Sequence, residues 1–223
     1  MQKEKTARGT GDFSGLRSAV NGLIVTQVAV ACWLLVFRND GVVAATGWET
    51  LKYYTVLSNL LEGAASLIWI AVVSVLRREP RWVAVLKYTS AVCVGLTMVT
   101  VIVFLGPVHG FGIMYVGANL FYHLLVPLCA MAELVLLNRA ALSLRDNAAA
   151  VLPTVVYGTV YLINVLVKEP GDNPLEHDFY GFALWGIPLG VVGLAVICLV
   201  AFMIGWLLRG GNRRVCRLQI QEG

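Results

Sequence analysis

Chemistry in this chain has to come from three short runs of polar residues. The first is Thr55, Ser58, Asn59, Glu62 and Ser66, the second Asn119, His123 and Glu133, and the third Thr154, Tyr157, Tyr161, Asn164 and Lys168. Two of these side chains suit acyl transfer. A threonine hydroxyl is a poor nucleophile until a base takes its proton, and a neutral imidazole within hydrogen-bond reach is such a base. Glu62 offers something else, a carboxyl able to take up and release a proton. The intervals from Thr55 to Ser66 put that run on one helix face. Asn119 and His123 are one turn apart, and at 3.6 residues per turn Glu133 returns to within about 40° of Asn119.

These runs interrupt stretches that are otherwise apolar. Of 223 residues 58% are hydrophobic and 13% charged, where a soluble domain carries about 25% charged residues. That excludes an ordinary soluble protein, and so apolar a chain does not stay solvated as a disordered one. Apolar stretches at 18–37, 53–76, 82–105, 118–137, 149–167 and 180–208 each supply the roughly 20 residues a spanning helix needs. The expected fold is an all-α polytopic bundle of six transmembrane helices. It divides into an N-terminal segment 1–17, a single transmembrane domain 18–208 and a basic tail 209–223.

Of the 17 lysines and arginines, thirteen fall in the two terminal segments and the joints on one side, while Arg38, Lys52 and Lys168 lie on the other and Lys87 inside the third stretch. The positive-inside rule then places both termini in the cytoplasm. The first stretch exceeds the roughly 7 to 15 apolar residues of a signal core, so it reads as a retained span. With no eukaryotic sorting signal evident, the expected location is a bacterial inner membrane.

The five cysteines form no CxxC pair, and no phosphate-binding glycine loop, HExxH, GxSxG or repeat occurs. The tail Arg-Gly-Gly-Asn-Arg-Arg-Val-Cys-Arg, directly after a span, reads as a topology signal that favours anionic lipid heads and not as a nucleic-acid site. No cofactor or metal is called for, and nothing fixes the oligomeric state.

Membrane threonines usually bond their hydroxyl to a carbonyl of the preceding turn, and Ser58 and Asn59 alone would be interhelical glue. Lys87 and Glu133 lie near the cytoplasmic ends of their spans, as an ion pair or with the lysine snorkelling outward. Glu62 lies near the membrane middle with no cation at matching depth, which predicts a neutral carboxyl on a proton or ligand path. Thr55 and His123 differ in depth by only about 5 Å at 1.5 Å per residue, so the two can meet. Three function classes follow. One is an intramembrane ester hydrolase, the second a carrier or lipid-binding protein lined by the polar faces, and the third a metal-assisted hydrolase using Glu176, His177 and Asp178 with His109.

At these residues the chain resembles a known family. Lys52-Tyr53-Tyr54-Thr55, opening a span with polar residues one turn later, is similar to the threonine motif of the androgen-induced and androgen-dependent membrane hydrolases, which cleave fatty-acid esters of hydroxy fatty acids. Asn119-Leu-Phe-Tyr-His123, followed by Leu-Leu-Val-Pro127 and then Glu133, resembles that family's Asn-x-x-x-His segment. The chain departs from it at Leu124 and Leu125, which stand where the family has hydroxyl residues. The resemblance implies six helices, a fatty-acid ester as substrate, Thr55 as nucleophile and His123 as base, in a bacterial-type relative. Ser58, Asn59, Glu62, Asn119, Tyr157, Tyr161 and Asn164 are the expected supporting residues.

Overall fold

The computed structural model describes residues 2–38, 40, 47–167, 178–181 and 186–221. Every regular element among them is helical, and six helices are long and apolar enough to cross a membrane: Gly15–Phe37, Tyr54–Leu76, Arg81–His109, Ala118–Leu137, Leu144–Val167 and Ile187–Gln219. We call them the first to sixth spans. The chain is thus all-helical, with the fold of a multi-pass membrane protein.

The ends differ from the sequence reading for local reasons. The fifth span starts five residues early because Ser143 and Asp146 form a reciprocal capping box at its N-terminus. The sixth starts only after Gly186, whose φ is +88°, and runs on to Gln221, so the basic tail continues the last helix. The first helix likewise reaches back to Gln2, making the N-terminal segment part of the same rod.

The third span is the centre of the bundle. Half of its most apolar window is buried, against 17% for the fifth and sixth spans, whose outer faces are left for lipid. Tyr88, Ala91, Val92 and Val94 of the third span pack with Ile24, Val126, Leu134 and Ile204 of its neighbours.

Two spans are locally widened into π-turns, at Val101–Leu105 and at Phe121–Leu125. Each ends two residues before a proline, Pro107 and Pro127. A proline has no N–H to give the carbonyl four residues earlier, and its ring crowds that carbonyl. The wider turn relieves the crowding. For Pro127 the carbonyl concerned belongs to His123, so the proline sets the backbone from which the imidazole projects.

The start of the fourth span is pinned by a second device. The N–H of Ala118 donates to the Asp40 carbonyl at 3.1 Å. A Cβ on Gly117, which has φ +55°, would lie 2.2 Å from Asp40 Oδ1. Only glycine fits there.

Candidate active site

Thr55 is the second residue of its helix, and that position frees its hydroxyl. Thr26 and Thr97 donate back to the carbonyls of Gly22 and Cys93, the usual behaviour of a membrane threonine. Tyr53, extended at ψ 134°, separates Thr55 from the 3₁₀ turn Gly47–Lys52, so no α-helical turn precedes it. Among the described residues its Oγ1 makes no hydrogen bond. Its carbonyl, by contrast, accepts from Ser58 Oγ at 3.0 Å and from Asn59 Nδ2 at 2.8 Å.

Asn59 Nδ2 also donates to the Tyr122 carbonyl at 3.1 Å. One fully buried amide thus ties the Thr55 backbone to that of the residue preceding His123. The Thr55 and His123 side chains are not hydrogen-bonded to each other. Because both Asn59 amide protons go to carbonyls, Asn59 cannot also offer a donor to a reacting oxygen.

His123 is buried, and its Nδ1 lies 2.9 Å from the Met114 carbonyl. A carbonyl only accepts, so Nδ1 carries the proton. The neutral ring then keeps its lone pair on Nε2, the nitrogen a base uses. The orienting group is therefore a backbone carbonyl of the short helix Phe111–Met114. Asn119, Tyr161 and Asn164, three of the expected supporting residues, make no hydrogen bond to the ring.

Thr55 lines a cleft of about 180 Å³ together with Leu96, Thr97, Thr100, Phe104, Thr154, Tyr157, Gly158, Tyr161, Tyr180 and Leu194. Its flank is apolar, with Phe104 61% exposed, and the fifth and sixth spans meet across it at Gly158, where a Cβ would lie 2.1 Å from Leu194 Cδ1. The end near Thr55 is closed by aromatic side chains of segment 178–181. Tyr161 donates to Asp178 Oδ1 at 2.6 Å, the Tyr180 N–H donates to Tyr161 Oη at 2.9 Å, and the Tyr54 N–H donates to Tyr180 Oη at 3.0 Å. Tyr157 donates to the Lys52 carbonyl at 2.6 Å, and Lys52 Nζ lies over the rings of Tyr53 and Phe179. Burial pushes the Tyr180 phenol above its ordinary value. His123 is not part of the cleft wall.

The lower half of the second-span run behaves differently from expectation. Glu62 does have a cation. Lys87 Nζ pairs with Glu62 Oε1 and lies 2.8 Å from Ser66 Oγ, with both charged side chains fully buried. Lys87 therefore does not snorkel outward. It also lies 3.8 Å from Glu133 Oε2, and Glu133 pairs with Arg17 Nε and takes Asn21 Nδ2 at 3.4 Å. Arg17 continues to Glu79 at 2.6 Å, whose other oxygen accepts from Trp69 Nε1. Sequence reasoning missed Arg17 and Asn21. The signal available was their place on the inward face of the first span, in register with Ile24 and Val28.

Asn119 is buried and, among the described residues, its side chain has no hydrogen-bond partner. Asn164 is half-buried and likewise unbonded. Ser58 pairs with Thr97 Oγ1 at 3.0 Å. For the metal alternative, Glu176 and His177 lie outside the described residues, as does Lys168. Among the described residues no three His, Cys, Asp or Glu side chains gather as a metal centre would need. Comparison of the chain with protein-family models, with curated proteins and with solved structures finds no match.

Proposed function

We propose that this protein is an intramembrane ester hydrolase that uses Thr55 as nucleophile and His123 as base on a fatty-acid ester, as its resemblance to the androgen-induced membrane hydrolases implies. One observation carries the reading. The Thr55 hydroxyl is uncommitted, lines an apolar cleft, and belongs to a backbone tied through Asn59 to that of an oriented, buried histidine.

The acyl chain lies along the cleft with its carbonyl at Thr55. Oγ1 attacks the carbonyl carbon, His123 Nε2 takes the hydroxyl proton and passes it to the departing alkoxide, and an acyl-threonine remains. Water, deprotonated by the same nitrogen, then releases the fatty acid and restores the hydroxyl. The Met114 carbonyl holds Nδ1–H throughout, which fixes the tautomer and favours the transient imidazolium. With Asn59 spent, Asn119 is the amide left to stabilise the oxyanion. Thr55 and His123 close to hydrogen-bond distance when substrate binds, as unliganded catalytic contacts commonly do. The thirteen-to-three division of cations supports cytoplasmic termini, with the site toward the opposite side of a bacterial inner membrane.

The test is labelling by a fluorophosphonate probe followed by peptide mapping, beside hydrolysis of a long-chain ester by purified protein. Label on Thr55, lost in Thr55→Ala together with hydrolysis, is the expected result. Full hydrolysis by Thr55→Ala would overturn the assignment.

A further inference from the structure

The basic end of the bundle holds a buried arginine without an anion. Arg209 is only 7% exposed, its Nε is sealed from solvent with no hydrogen-bond partner, and among the described residues none of its nitrogens pairs with a carboxylate. A buried guanidinium left so is costly.

The nearby carboxylate is already used up. Gly205, one turn before Arg209, packs against Asn147, where an added Cβ would lie 2.2 Å from Oδ1, so the adjoining Asp146 belongs to the same end of the bundle. Yet its Oδ1 accepts from Arg81 Nη2 at 2.9 Å, and its Oδ2 accepts from Arg81 Nη2, the Ser143 N–H and the Ser143 hydroxyl at 2.6 to 2.7 Å. Arg213, one turn beyond Arg209 on the same helix face, donates to the neutral Leu142 carbonyl at 2.9 Å and, among the described residues, to no carboxylate. Among the described residues, Asp146 pairs with Arg81 alone, and neither Arg209 nor Arg213 pairs with a carboxylate. Like charges four residues apart on a helix repel unless something anionic lies between them.

The depth of this cluster says what that is. Arg209 follows directly on the apolar run, with Trp206 and Leu207 exposed one turn earlier, so it stands at the boundary where lipid phosphates lie. Beside it, a Cβ on Gly210 would meet nothing within 4 Å. We propose that Arg209 and Arg213 form a binding site for the phosphate of an anionic phospholipid head group. The site is independent of the Thr55 cleft.

In native mass spectrometry of the detergent-purified full chain, with phosphatidylglycerol and phosphatidylcholine offered equally, phosphatidylglycerol should be retained preferentially. Arg209→Gln should cut that retention about fivefold or more, and Arg213→Gln by less. Equal retention of both lipids by the unaltered chain overturns the site. Added inorganic phosphate separates the sources: it should leave the lipid bound, and its displacing phosphatidylglycerol at equal concentration would overturn the lipid assignment. Without lipid, Arg209→Gln should unfold no earlier than the unaltered chain, because it removes an unpaired buried charge, and phosphatidylglycerol should then raise its Tm no further. A variant that unfolds earlier without lipid and still gains the full shift with it would show a merely structural arginine and sink the proposal.

Discussion

The second span carries two polar regions, one of paired charges and one of neutral groups. Around Glu62 each charge has an opposite one beside it: Lys87 takes Glu62, Arg17 takes Glu133 and Glu79, and Ser66, Asn21 and Trp69 donate to the same carboxylates, while Glu62 Oε2 and Arg17 Nη2 make no hydrogen bond among the described residues. Two turns away, around Thr55, the groups are neutral, and two of them, the Thr55 hydroxyl and His123 Nε2, have no partner among the described residues. The energetics explain the division. A buried charge that loses its partner costs about 3 to 5 kcal/mol, whereas an unpaired neutral donor or acceptor costs about 1 to 3 kcal/mol. Leaving a group open for a reactant therefore costs less in the neutral region.

The sharpest way to break that contrast is to remove the open groups. Thr55→Ala and His123→Ala should each lower ester turnover by about 10⁴-fold or more, with the double variant little worse than either, while thermal unfolding in detergent stays near that of the unaltered chain. Thr55→Ser should retain measurable turnover. The charged region should show the opposite pattern. Lys87→Met should cost about 3 to 5 kcal/mol of stability, the Lys87→Met/Glu62→Met pair should regain most of it, and activity per folded molecule should hold. A stable but inactive Lys87→Met would merge the two regions into one site.

Pro127→Ala tests the turn beneath the histidine. Restoring an N–H for the His123 carbonyl should return that turn to α geometry and lower kcat about 10-fold to 100-fold through misplacement of the imidazole, without loss of stability. The smallest effect belongs to the aromatic closure. Tyr180→Phe removes the acceptor for the Tyr54 N–H and should cost about 1 kcal/mol. Because burial raises the Tyr180 phenol in the folded state, its contribution is fully present below the unfolded value of about 10 and is lost as pH rises further. Stability of Tyr180→Phe should therefore be less sensitive to pH in that range.

The six spans were legible because each apolar stretch has the length of a bilayer and because 13% charged residues leave no other fold to build. The polar face that carries Thr55 and Asn59 was legible from its spacing, while the bridge from Asn59 to the Tyr122 carbonyl was not. The Lys87–Glu62 pair was not, since a lysine stem and a glutamate arm together reach past one 5.4 Å helical turn, and matching Cα depths misses where charges meet. Met114 was invisible for another reason: any residue type presents a carbonyl, so an acceptor from the main chain leaves no signature of its own. The nearest trace lay in Gly117 and Pro127, two positions that fix the backbone on either side of the histidine.

The aromatic closure over one end of the cleft, together with its apolar flank at Phe104, changes the units in which a ligand should be counted. A molecule that reaches Thr55 through the bilayer arrives at a rate set by its mole fraction among lipids and not by its molarity in water. Diluting an ester with inert detergent at fixed bulk concentration should then slow its use, and chain length should act first through partitioning.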